Sequence, residues 1–152
     1  MKYYSVVVLL FYVVHIESFY DNEITLKCRG RTYENVSLTA YYPDYNDQDS
    51  GLGYQDKKRK RATNFTGDYD FVDGRAEFVT LAMDPKLEIP YGSKICIPEL
   101  NNHYGHRILL EVRDSSIDLY GGGYSRAEIC VRSEIDSYDK HVNRIVNLVF
   151  VD

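Results

Sequence analysis

The chain has 152 residues, 44% of them hydrophobic, enough for one domain with its own core and too few for two comfortable ones. Its formal net charge is -5 at pH 7. That balance argues against nucleic-acid binding, which depends on Lys and Arg neutralising backbone phosphates.

In chain order, Lys2 precedes an uninterrupted apolar run, Val6–Val14, followed by polar residues. This is the layout of a secretory signal peptide, and the run is too short to span a bilayer as an ordinary helix. Residues 1–20 are therefore expected to be a leader, 21–34 an N-terminal segment and 35–152 the folded domain, secreted and without stable membrane insertion once the leader is cleaved. An uncleaved anchor over Tyr3–Ile16 is the alternative. Two sequons, Asn35-Val36-Ser37 and Asn64-Phe65-Thr66, fit the secretory route and make Asn35 and Asn64 candidate glycosylation sites.

Asn35–Tyr42 (NVSLTAYY) is rich in β-formers and reads as the first core strand, ended by Pro43. From Asp44 to Gly74 the chain is crowded with Asp, Asn, Gly, Lys and Tyr and has little periodicity, which reads as long surface loops. Within it, Lys57–Arg61 (KKRKR) is either a solvated hairpin tip or a proprotease, nuclear-signal or polyanion motif; the solvated tip is the reading favoured here. Beyond Arg75, the runs AEFVTLAM, SKICIP and HRILLEVR are β-type. Turn signals separate them at Asp84-Pro85, Pro90-Tyr91-Gly92 and Asn101–Gly105. Ser133–Val142 suits one short helix with Ser133 as its N-cap, and Asn143–Val151 a final buried strand. Short strands at close spacing predict a mainly β domain closed into a barrel.

The cysteines are Cys28, Cys96 and Cys130. Cys96 and Cys130 lie in strand-like runs flanking an acidic segment and are expected to pair, leaving Cys28 free or available to a partner chain. No Cys-x-x-Cys or His-x-x-x-His spacing accompanies them, so no metal or other cofactor is expected. His103, His106 and His141 lack a nucleophile pattern and read as surface residues.

The segment AMDPKLEIPYGSKICIP carries an aspartate-proline turn, then isoleucine-proline-x-glycine with Ser93 in a threonine-like place. EVRDSS ends a strand at Asp114, and SRAEICVRS sets Arg126 two residues before Glu128. Together these blocks resemble the three-aspartate (Asp-Asp-Asp) domain of cell-wall-active double-psi β-barrels, over roughly residues 38–151. The chain departs from that pattern at Glu128, which stands for the third aspartate, and at Ser115-Ser116, which stand for threonine-glycine. The resemblance implies a six-stranded double-psi barrel whose acids Asp84, Asp114 and Glu128 share a groove. It also implies action on a cell-wall polysaccharide such as peptidoglycan, with the Glu128 position catalytic, as in lytic transglycosylases.

Such acids suit glycosidic cleavage, which needs a protonated carboxyl for the leaving oxygen and a partner for the oxocarbenium-like charge. Apolar burial by Ile129 and Val131, or a neighbouring Asp114, would keep Glu128 protonated near neutral pH. Each acid also has a plainer reading: Asp84 as a turn residue bonding local amides, Asp114 as a turn residue, Glu128 on a solvent face. Asp118 is the substitute for Asp114 if the register differs. There are 15 tyrosines and no tryptophan. Tyr41, Tyr42, Tyr91, Tyr120 and Tyr124 are candidates to stack on sugar rings, with Arg126 beside them, and Tyr124 next to Gly121-Gly122-Gly123 is the preferred one. The expected partner is a polysaccharide and the expected state a monomer. Competing with an enzyme are a non-catalytic secreted binder of the expansin or barwin kind, acting on a glycan or a receptor, and a structural or toxin-like secreted protein.

Overall fold

Alternation between apolar and polar positions shapes most of the chain. In RTYENVSLTAY, Val36 and Leu38 are buried while Asn35 is exposed and Ser37 and Thr39 keep partial exposure. In RAEIC, Ala127 and Ile129 join the core and Glu128 faces the other way. The computed structural model describes residues 26–42 and 78–152, and within them the strands are β1 (Arg31–Tyr41), β2 (Val79–Met83), β3 (Ser93–Cys96), β4 (Leu110–Ser115), β5 (Arg126–Cys130) and β6 (Arg144–Phe150). The expected leader, the long loop with Lys57–Arg61 and the second sequon at Asn64 lie outside the described residues.

The strands close into a barrel in the order β1-β5-β2-β4-β3-β6, with β6 returning to β1. The pairs β1·β5 and β2·β4 are parallel and the other four are antiparallel. The predicted mainly β, closed-barrel class is thus observed. Val36, Leu38, Leu81, Val112, Ile129, Val146 and Leu148 belong to a single core cluster. Closure leaves no long unpaired strand edge around the ring.

Several boundaries differ from the sequence expectation. β1 begins at Arg31, inside the segment assigned as an N-terminal extension, because a bulge between Tyr33 and Val36, with Asn35 at φ 58°, interrupts the alternation a strand is recognised by. The turn expected at Asn101–Gly105 belongs to a helix, α1 (Pro98–Tyr104). Pro98 fills its first turn, where the missing N–H is harmless, and Gly105 ends it at φ 71°. The helix α2 (Glu134–Ser137) is shorter than expected but has the expected cap, since Ser133 Oγ accepts from the Asp136 amide and donates to its carboxylate at 2.6 Å.

The expected Cys96–Cys130 bridge is not formed. Cys96 is bonded to Cys28, with 5.6 Å between their Cα atoms, and Cys130 is a buried free thiol. The barrel order explains it: β3, which carries Cys96, and β5, which carries Cys130, are separated by two strands either way round the ring. No disulfide reaches across that gap. The buried Asn101 instead sets Nδ2 3.3 Å from the Cys96 sulfur and 3.7 Å from that of Cys28, and its Oδ1 accepts from the Ile108 amide at 2.8 Å. Among the described residues no helix is long and apolar enough to cross a membrane.

Candidate functional site: an acidic row across the barrel wall

Strand pairing assembles the site. Ala82 on β2 is the Cα partner of Glu128 on β5 and also of Asp114 on β4, while Glu128 pairs on its far side with Thr39 of β1. Thr39, Glu128, Ala82 and Asp114 therefore form one cross-strand row, and two strand spacings put the Asp114 and Glu128 Cα atoms on the order of 10 Å apart. Asp114 joins that row because of a one-residue shift. Leu81 pairs with Val112 but Ala82 pairs with Asp114, so Arg113 is passed over. In an unbroken register Asp114 would oppose Met83, a core residue; the bulge turns its carboxyl to the side that bears Glu128.

Both acids are nearly covered, Glu128 at 9% and Asp114 at 6% of full exposure. Burial is the main influence on Glu128 and raises its pKa above the ordinary carboxylate value. A hydrogen bond from Ser116 and the charge of Arg126 oppose that rise, and the charges of Asp118 and Asp114 add to it. Ser116 is itself held in place, its Oγ accepting from the Asp118 amide at 3.2 Å. Arg126 Nη1 donates to the Asp118 carbonyl at 2.8 Å, which ties the base of β5 to the same loop.

Asp114 accepts on Oδ2 from the Tyr41 hydroxyl at 3.1 Å and on Oδ1 from the Ser115 amide at 2.8 Å. Tyr41 keeps some exposed surface, but its hydroxyl lies deep. Burial first, then Cys130 and Asp114, hold its pKa well above the usual phenol value. The phenol is thus a permanent donor in this site. Cys130, the register partner of Tyr41, completes the cluster, and burial pushes its thiol up to about 12, which makes it unreactive at neutral pH.

Asp84 has a different character. Its Oδ1 accepts from the Lys86 amide at 2.9 Å and its Oδ2 from the Gly123 amide at 2.8 Å, with the Gly121 amide also directed at it. These donors, that of Lys86 foremost, hold its pKa below the ordinary value against a desolvation effect. Asp84 is a clamp that ties the Gly121–Gly123 loop to the turn after β2, and the plainer reading of it as a turn residue describes its contacts.

The tyrosines divide in the same way. Tyr124 lies with one face on Tyr33, ring centroids 3.9 Å apart and planes within 9°, and with Phe150 edge-on at 5.7 Å. Tyr91 accepts from Arg113 Nε at 2.7 Å, and that guanidinium rests 4.1 Å from the centre of the Phe78 ring. Tyr42 is exposed just past the end of β1. Tyr120 is 57% exposed with Lys86 Nζ over its ring at 4.2 Å, and Ile117 in the same loop is 72% exposed. Tyr120 therefore presents the most exposed ring on the loop that carries Ser116, with Lys86 over one face. A hollow of about 160 Å³ lined by Phe78, Lys94, Arg107, Leu109 and Glu111 lies at the start of β4, apart from the row.

The sequence reading missed Ser116 as a ligand of Glu128, Tyr41 as a donor and Cys130 as a member of the site. A serine following the Asp114 turn was the available signal for the first. The other two depend on strand pairing, which no local pattern gives. Among the described residues no group of three or more His, Cys, Asp or Glu side chains is arranged to hold a metal ion. Compared with known proteins, the chain matches no family model and no curated protein.

Proposed function

We propose that this chain is a secreted, glycan-active barrel of the double-psi type that acts on a cell-wall polysaccharide of the peptidoglycan kind, with Glu128 as the general acid. The observation carrying this reading is the row that brings Glu128 and Asp114 to either side of Ala82, with burial favouring the protonated form of Glu128. A carboxyl whose pKa is raised by burial is better suited to carry a proton to a glycosidic oxygen. Asp114, oriented by Tyr41, then supplies negative charge for the sugar cation, and the deprotonated Glu128 accepts a proton from the attacking hydroxyl. That hydroxyl belongs to water in a hydrolase or to the sugar itself in a lytic transglycosylase. Tyr120 offers the stacking surface at the rim. The closed ring with two parallel pairs supports the double-psi assignment, and the Cys28–Cys96 bridge supports an oxidising destination.

A second reading, a non-catalytic glycan or receptor binder, is favoured by a specific observation. Asp84 is consumed by backbone amides, which leaves two of the three acids of the resembled pattern to act on a substrate. Purified mature protein mixed with insoluble peptidoglycan, chitin and cellulose separates the two readings. Sedimentation reports binding, and mass spectrometry of the supernatant reports cleavage, including products that lack a new reducing end. Soluble fragments released by the wild type and absent with Glu128→Gln support the enzyme. Binding without fragments supports the binder, and neither outcome on any polymer removes the glycan reading.

A further inference from the structure

Among the described residues, the first sequon lies on β1 just before the acidic row, with Ser37 two residues ahead of Thr39 on the same side of the strand. Asn35 is exposed, while its neighbour Val36 is fully buried and Ser37 keeps partial exposure. It sits at the bulge between Tyr33 and Val36, where pairing to β6 shifts, and at φ 58° it adopts a conformation tolerated by asparagine better than by most residues. Two residues further on, Ser37 pairs with Ile145, which is 57% exposed on a strand whose next residue, Val146, is buried. The sequon thus borders an apolar surface residue on the β1·β6 wall.

We propose that Asn35 carries an N-linked glycan whose first sugars cover the Ile145 side of the β1·β6 wall, keeping that wall from associating with other chains. The inference rests on the secretory part of the proposed function and is independent of any catalytic role. In the transfer step, the Asn35 Nδ2 forms a bond to the anomeric carbon of a lipid-pyrophosphate-linked oligosaccharide. The bond from that carbon to phosphate breaks, the lipid pyrophosphate departs with the electron pair, and the amide proton passes to solvent. The Ser37 hydroxyl is the sequon's second required group. Transfer precedes folding, so the folded structure must leave the modified side chain outside the core, and exposed Asn35 at a bulge meets that condition.

The test is to express the full chain in a eukaryotic secretory cell and collect the medium. Peptide-N-glycosidase treatment in heavy-oxygen water, then peptide mass mapping, reads the site. The expected result is labelled aspartate at position 35 in most molecules, and loss of one glycan's mobility shift in Asn35→Gln and in Ser37→Ala. Secreted protein with unmodified Asn35 overturns the glycan while leaving secretion standing. Protein retained in the cytosol overturns both. For the covering role, Asn35→Gln secreted protein is expected to bind more apolar dye and to self-associate at lower concentration than wild type, and Ile145→Lys added to it is expected to reverse both. Unchanged dye binding and association on losing the glycan overturn that role.

Discussion

The Cys28–Cys96 bridge gives the sharpest quantitative test of the architecture, because it replaces the pairing expected from the sequence. The bridge closes a loop with a sequence separation of 68, and the chain-entropy relation for a loop of that size gives a stabilisation of about 4 kcal/mol. In the Cys28→Ser, Cys96→Ser double variant that contribution disappears. Asn101 also loses its sulfur contacts but keeps its bond to Ile108, so little further loss is expected. At about 2–4 °C per kcal/mol for a domain of this size, the melting temperature should fall by about 10 °C. Urea unfolding in non-reducing buffer measures the free energy, and peptide mapping under the same conditions identifies the bonded pair. Cys130→Ser is the matched control. It replaces a buried thiol beside Tyr41 and Asp114 with a hydroxyl able to bond either, so its loss should stay under about 2 kcal/mol. A mapped Cys96–Cys130 peptide would refute the barrel order as well as the bridge, since β3 and β5 would then have to be neighbours, and a Cys130→Ser loss as large as that of the double variant would refute the assignment of that loss to the Cys28–Cys96 bridge.

The acids give two predictions of opposite sign. The pKa of Glu128 is raised in the folded state, so its contribution is fully present below the unfolded value, about 4.3, and is lost as pH rises through the folded value. Glu128→Gln should therefore be more stable than wild type at pH 7, with the gap closing in acid, and chemical denaturation across pH would sink the claim if the gap grew in acid. The pKa of Asp84 is lowered, so its stabilisation is present above the unfolded value and lost as pH falls through the folded one. Asp84→Asn should destabilise at neutral pH and approach wild type in strong acid; a variant with wild-type stability at pH 7 would show that the clamp on Gly121–Gly123 does nothing. Ser116→Ala removes a bond that favours the Glu128 carboxylate, so the titration midpoint of that carboxyl, followed by carbon NMR, should move higher. A downward or absent shift is the contrary result. Gly30→Ala would put a Cβ 1.8 Å from the Phe150 carbonyl oxygen at φ 144°, and the strain should lower stability by at least about 2 kcal/mol by urea unfolding.

How much of this was legible in the sequence depends on whether the signal was local. Runs such as VTLAM and RIVNLVF are largely apolar and rich in β-formers, so their strands and the barrel class could be read directly. The start of β1 was hidden by its bulge. Helix α1 was hidden because Asn101–Gly105 looks like a turn until Pro98 is recognised as its first residue and Gly105 as its end. The disulfide could not be read at all: sequence proximity to an acidic segment suggested one pair, while strand order placed the two cysteines on opposite walls.

The acids follow the same logic. Sequence could nominate Asp114 and Glu128 but could not say that they share a row, because the shift at Arg113 decides it. Deleting that residue makes the dependence testable. With Arg113 removed and the strands otherwise in register, each remaining β4 residue keeps its partner and Asp114 still opposes Ala82. Inserting a residue before Ser115 would leave Asp114 in place as well. Only a change that restores continuous pairing while retaining Arg113, and so sets Asp114 opposite Met83, moves its carboxyl into the core. A site that would survive deletion of its own bulge residue but not a slip of the strand is specified by register, and Arg113 at the bulge is itself held by Tyr91 and Phe78.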